Sequence, residues 1–214
     1  MAVAVNSIEV IESGIVDYET SLLQQRVIHE GVANGTRNNT LIFVEHPSVY
    51  TAGRRTDKSE MPVDGTPVVE VDRGGRITWH GPGQLVGYPI VRLAKRNEMV
   101  GFVRVLEDAI IETLSEFNLR GQQIIGKTGV WIVDASSARK IAAIGIRVAK
   151  GVTMHGFALN VNPDLTNFKN IVACGLPDVI TTSMAQELNE DLQIAQVLPV
   201  LEKAMTNSLG KVSI

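Results

Sequence analysis

Val69–Val91, VEVDRGGRITWHGPGQLVGYPIV, is the stretch whose reading decides the fold. It opens as an alternating run in which Val69, Val71 and Ile77 face one way. Gly74-Gly75 and Gly81-Pro82-Gly83 then break it before a second apolar run from Leu85 to Val91. Two β-branched runs joined by glycine-rich turns predict adjacent strands with irregular loops between them. Arg73, Arg76, Thr78, Trp79, His80 and Gln84 occupy those loops, where glycine lets the backbone approach a ligand closely. A plain hairpin needs no such density of Arg, His and Gln, so the stretch reads as a substrate-binding loop.

The rest of the chain is compatible with a single catalytic domain over 1–214. With 214 residues and 44% hydrophobic content it has enough apolar side chains for a core, and it shows no repeat, linker or low-complexity segment. A formal charge of −3, from 20 Lys+Arg and 23 Asp+Glu, points to neither nucleic acid nor an anionic membrane as a partner. No apolar run reaches the ~18–20 residues of a membrane span. MAVAVNSIEVIESG carries no basic leader region or cleavage pattern, so a cytoplasmic location is expected. The single cysteine, Cys174, excludes an internal disulfide and a cysteine-rich metal site. His29, His46, His80 and His155 lack i,i+4 pairing, so no metal is expected.

Away from the central stretch, Ser7–Ile11 predicts a short strand. Asp17 predicts the cap of a helix from Tyr18 to about Glu30, burying Leu22, Leu23, Val27 and Val32. Asn34–Thr40 reads as a loop and Leu41–Val44 as a buried strand. In EHPSVYTAGRR, Pro47 and Gly53 predict a loop whose basic end could help to hold an anionic carrier. Val103, Leu106, Ile110, Leu114 and Phe117 recur at three and four residues and mark an amphipathic helix. WIVD, KIAAIGIRV and MHGFALNV predict three strands of an antiparallel meander. Pro163–Asn170 reads as a polar connection, Ser183–Leu188 as a short helix. Gln193–Leu209 closes as a helix with Leu198, Leu201, Met205 and Leu209 in its stripe.

Gly121–Thr128, GQQIIGKT, matches the phosphate-loop pattern residue for residue. A phosphate loop needs a strand before it and a helix after it. Here a helix precedes and a strand follows, so nucleotide binding is not expected. Cys174 sits in Ala173-Cys174-Gly175, ahead of Leu176-Pro177, where a loop is predicted. Lys140 opens an apolar strand, where a charge has no structural reason to be. A thiol reacts as thiolate, and a neighbouring ammonium favours that form. His155-Gly156 and His80-Gly81 are further candidate ligand contacts.

DRGGRITWHGPGQLVGYPIV, EHPSVYTAGRR, KIAAIGIRV, HGFALNVNPDL and IVACGLPD together resemble the octanoyltransferases of the lipoate pathway, from Glu45 to about Ser183. Trp79 stands where that family more often has tyrosine or histidine, and GQQIIGKT is no part of its signature. The resemblance implies an α+β fold shared with biotin and lipoate ligases: a mixed, largely antiparallel β-sheet flanked by helices. It implies Cys174 as acyl-accepting nucleophile and Lys140 as the residue that lowers its pKa. It implies substrate contacts at Arg73, Gly74, Gly75, Arg76, Ile77, Thr78, Trp79 and His80, at Ala143, Ile144 and Gly145, and at Gly156, Phe157 and Ala158. The expected donor is octanoyl-acyl carrier protein. The expected acceptors are lipoyl domains of 2-oxoacid dehydrogenase complexes and the glycine cleavage H protein, served by a monomer with no cofactor. An ATP-dependent lipoate or biotin ligase of the same fold is the alternative.

Overall fold

The computed structural model describes residues 7–62, 65–95, 98–171 and 179–214. In chain order the elements are β1 (Glu9–Ile15), α1 (Tyr18–Asn34), β2 (Thr40–Glu45), β3 (Val49–Ala52), β4 (Val68–Glu70), β5 (Thr78–His80), β6 (Gln84–Ile90), α2 (Met99–Glu116), β7 (Gly121–Ile124), β8 (Lys127–Val133), β9 (Ala138–Ala149), β10 (Val152–Asn160), β11 (Ile180–Thr181), α3 (Met184–Leu188) and α4 (Ile194–Gly210). The main sheet runs β1-β2-β6-β10-β9-β8-β7, with β11 added parallel to β9. A second sheet, β4-β3-β5, sits apart from it.

Period-2 alternation sorts the side chains of the main sheet into two cores. Ile42, Val44, Val86, Tyr88 and Ala158 meet Ile28 and Val32 of α1. Their neighbours Leu41, Phe43, Leu85, Phe157 and Leu159 meet Leu106, Ile110 and Leu114 of α2 and Leu201, Met205 and Leu209 of α4. β2 is therefore buried on both sides, which explains its unbroken apolar run. α1 starts where Asp17 accepts from Thr20 N at 3.1 Å and stops at Gly35, which is left-handed at φ 73°.

The predicted meander from Val130 to Asn162 is present, and β7 extends it by one strand. Four expectations fail. The two halves of the 69–91 stretch are not paired with each other. β4 and β5 both pair with β3, whereas β6 joins β2 and β10 of the main sheet. Val69 and Val71 pack with Tyr18, Leu22 and Val49, while Ile77 packs with Tyr50 and Trp79. The EHPSVYTAGRR segment is a loop only at its ends, because its centre is β3, buried throughout. The four-residue strand was hidden by its proline and glycine flanks. In α1, Leu23 and Val27 are 61% and 65% exposed, and the buried face is instead Tyr18, Ser21, Leu22, Gln25, Ile28 and Val32. That face carries Ser and Gln, which a search for apolar periodicity passes over.

Candidate active site

The site is built on a gap along one edge of β9. β8 pairs with β9 as far as Ala142, where Val130 lies opposite. Four residues on, Gly74 N donates to Ile146 O at 3.0 Å, so the RGG loop covers the edge there. Between these two contacts, Ala143–Gly145 has β10 on one side and a cavity of about 520 Å³ on the other. One lip of the cavity is the 73–76 loop with Arg55. The opposite lip is Gly126-Lys127-Thr128 with Met99, Val100, Val103 and Arg104 of α2. Gly156 and Ala158 of β10 contribute to the floor. Gly156 must be glycine, because a Cβ there would lie 2.0 Å from Gly87 O.

Arg73 sets the first lip. Its buried guanidinium donates to Gly74 O at 3.0 Å, Arg76 O at 2.8 Å, Thr51 O at 2.6 Å and Thr51 Oγ1 at 2.9 Å. One side chain thus fastens the loop to β3. The polar chain continues inward. Thr51 Oγ1 lies 3.4 Å from His80 Nε2, and His80 Nδ1 donates to Gln84 Oε1 at 2.7 Å. Gln84 Nε2 donates to Asn160 Oδ1 at 2.9 Å, and Asn160 Nδ2 to Thr182 O at 2.9 Å. Thr182 N then donates to Lys140 O at 2.9 Å. Burial pushes the His80 pKa down to about 3, so the ring is neutral and holds its position as a fixed hydrogen-bond relay.

Lys140 marks one end of the cavity. It is buried, and its Nζ lies 5.1 Å from the centroid of the Trp131 ring. Lys127 Nζ lies 5.4 Å from the same ring. A cation over an indole face is attracted by the ring quadrupole. Gly129 makes room for the buried lysine, since a Cβ at its φ of 110° would lie 2.7 Å from Lys140 Cε and 2.4 Å from Ala142 O. Gly129 N in turn donates to Oε1 of the fully buried Glu107 at 2.8 Å, and Arg104 pairs with Oε2 of the same carboxylate at 2.5 Å.

Along β9, Lys140 and Ile146 are roughly 20 Å apart at strand rise. The end near Ile146 holds Tyr18, Tyr88 and His155. His155 Nε2 lies 2.8 Å from Asp72 Oδ1, and Arg147 pairs with the other carboxylate oxygen. Burial lowers the His155 pKa and outweighs the raising effect of Asp72. Burial also pushes Asp72 upward, but the His155 hydrogen bond and the Arg147 charge prevail, and its pKa falls. The ring therefore donates through Nε2, leaving Nδ1 buried without a partner among the described residues. His155 adopts φ 58°, a left-handed conformation rare outside glycine.

Of the residues named from sequence, Arg73, Gly74, Gly75, Arg76, Thr78, His80, Lys140, Ala143, Ile144, Gly145, Gly156, Phe157 and Ala158 all border this one cavity. Ile77 and Trp79 do not line it. They alternate with Thr78 and His80 and pack with Tyr50, where Trp79 Nε1 donates to Ser48 Oγ at 2.8 Å. Cys174 lies outside the described residues. Sequence reading passed over Trp131, Thr51 and Glu107. Glu107 had a detectable signal: it is a charge four residues after Val103 on the apolar face of α2. Lys127 was noticed only for a phosphate-loop pattern, yet β7 and β8 form a hairpin there, and the chain continues from Lys127 as a strand where a phosphate loop needs a helix. No helix of the described residues is long and apolar enough to cross a membrane.

Residues 17–206 match the family model described as lipoyl protein ligase A/B catalytic domain. The octanoyltransferase of Salinispora arenicola is 48% identical over 212 residues, covering 98% of this chain and 100% of that one. The octanoyltransferase of Mycobacterium tuberculosis is 46% identical over 208 residues, 97% of this chain and 89% of that one. Among solved structures, the bi-partite lipoate protein ligase of Thermoplasma acidophilum superposes with a TM-score of 0.72 at 16% identity, covering 95% of this chain and 84% of that one. The biotin protein ligase of Aquifex aeolicus gives 0.54 at 13% identity, with 96% and 70% covered. These distant structures share the fold: a mixed, largely antiparallel sheet with flanking helices.

Proposed function

Because this chain belongs to the lipoyl protein ligase A/B catalytic-domain family, and within it to the octanoyltransferases, we propose a specific donor, acceptor and intermediate for its acyl transfer. The donor is octanoyl-acyl carrier protein. The acceptor is a lysine of a lipoyl domain, in 2-oxoacid dehydrogenase complexes or the glycine cleavage H protein. The reaction is the first step of endogenous protein lipoylation. The thiolate of Cys174 attacks the donor's thioester carbonyl and expels the carrier's thiolate, leaving an octanoyl thioester on the enzyme. The acceptor amine then attacks that carbonyl, gives up a proton and expels the Cys174 thiolate, leaving an amide.

The observation that carries this reading is the position of Lys140: a lysine, buried by fold, at the end of a long cavity whose floor is small and apolar. An ammonium held there favours a neighbouring thiolate, and after the first step it faces the carbonyl that the amine attacks. The cavity beside Ala143–Gly145 accommodates an extended acyl chain, with the RGG loop closing over it. The thioester arrives activated, so no nucleotide enters the scheme. Intact-mass analysis after incubation with octanoyl-acyl carrier protein tests the proposal. Wild type should gain one octanoyl group and Cys174→Ala none. An octanoyl adduct on the mutant would place the nucleophile elsewhere and sink the assignment.

A further inference from the structure

The cavity lining is electrically lopsided. Among the described residues that line it, Arg55, Arg73, Arg76, Arg104, Lys127 and Lys140 are cations, and none is Asp or Glu. The chain as a whole carries more acids than bases, 23 against 20, so this concentration opposes the general trend. Arg76 and Arg104 are balanced from behind by Glu60 and Glu107. Arg73 is consumed in holding its loop. Arg55 and Lys127 are different. Both are exposed, they stand on opposite lips, and neither meets a carboxylate among the described residues.

Apolar side chains that ought to be buried lie near the same cavity. Val100 is 74% exposed, Met99 is 48% exposed, and Ile125 at the tip of the β7–β8 hairpin is 98% exposed. Met99 and Val100 line the cavity, and Ile125 is two residues from Lys127. Exposed apolar residues flanked by two uncompensated cations are the composition of a protein-docking surface. Two motifs that the chemistry left unused, GRR at 53–55 and GKT at 126–128, supply its two cations.

We infer that Arg55 and Lys127, with Ile125, Met99 and Val100 between and beside them, dock the acidic, partly apolar face of the protein domain that delivers the acyl thioester. This inference rests on the proposed carrier-borne donor. It assigns recognition of the carrier to the lips of the acyl cavity. Charge complementarity of this kind acts mainly on encounter and on KM, and it weakens with salt.

The test compares two donors that present the same thioester: octanoyl-acyl carrier protein, and octanoyl-pantetheine, which has no protein and no phosphate. The quantity read is the ratio of their kcat/KM values. In Arg55→Glu/Lys127→Glu that ratio should fall by about tenfold or more, through KM for the carrier-borne donor. Raising salt from about 50 to about 500 mM should lower the wild-type ratio and leave the double variant's nearly flat. Ile125→Ser, at a side chain with no core to disturb, should lower the ratio about threefold. Equal loss on both donors, or no loss on the carrier-borne one, overturns the inference. So does a full loss reproduced with octanoyl-phosphopantetheine, which would assign the cations to the phosphate. Failure of wild type to form an acyl-enzyme with either donor would instead defeat the proposed function.

Discussion

Residues 73–83 and 121–129 are both rich in glycine, and they contribute cations to one cavity from opposite lips. The first is fastened inward. Arg73 and His80 are buried and reach through Thr51, Gln84 and Asn160 to the backbone of Lys140. The second is a hairpin tip tied to α2 through Gly129 on Glu107 and, at the surface, Gln123 on Asp108, and its exposed Lys127 side chain lies over Trp131. A glycine motif therefore takes its meaning from the elements on either side of it. GQQIIGKT fits a phosphate-loop pattern, yet a strand where a helix should follow turns it into a rim.

If the first lip is structural in this sense, Arg73→Ala should cost about 4 kcal/mol in urea denaturation, since carbonyls of Thr51, Gly74 and Arg76 lose a charged donor. A cost under about 1 kcal/mol would erase the contrast between the lips. The two lysines over Trp131 give the next test. Lys140→Ala should slow enzyme acylation by about 100-fold at neutral pH, about 2.7 kcal/mol in barrier, with part of the rate returning as pH rises. Thiol alkylation of wild type and Lys140→Ala across pH checks the cause, and coincident curves would mean that Lys140 does not tune Cys174.

Acid should act on the first lip and on the buried core beneath it. The folded-state pKa values of His46, His80 and His155 are all lowered by burial. Unfolded histidine takes up its proton near 6.5 while the folded rings refuse it, so stability is fully present above that pH and falls below it. With a folded value of about 3, His80 alone should remove about 2 kcal/mol between pH 7 and pH 5. Urea midpoints at the two pH values measure this, and His80→Gln should flatten the slope. The smallest effect belongs to the second lip. Lys127→Ala should lower the carrier-to-pantetheine rate ratio about twofold, and added ATP should change neither rate.

The fold was legible where burial is one-sided or continuous. The alternating runs from Trp131 to Val161 and the stripes of α2 and α4 gave the meander and its helical cover. The small sheet was not legible, because β3, β4 and β5 have only three or four residues each and pair out of chain order. Most residues drawn from the family resemblance fall around one cavity because β9 and β10 pair with Gly145 opposite Gly156, which sets 143–145 and 156–158 side by side. Trp79 departs from that set for a local reason. Alternation along β5 aims Thr78 and His80 at the cavity and turns Trp79 toward Tyr50. Thr51, Gln84 and Asn160 were unreadable as a unit, since only the folded chain brings them within hydrogen-bond distance.

The gap along β9 has one more consequence. A strand with bare backbone groups on one side can template an extended segment of another molecule, and naturally folded sheets guard against this with charge or cover. Among the described residues, Ala143–Gly145 is such an edge, only three residues long and recessed between a glycine-rich loop and a hairpin. Its shortness leaves no length for a foreign strand to register on, and the cations on both lips discourage a second copy of the same surface from approaching. A recessed opening of this kind is thereby kept from seeding aggregation.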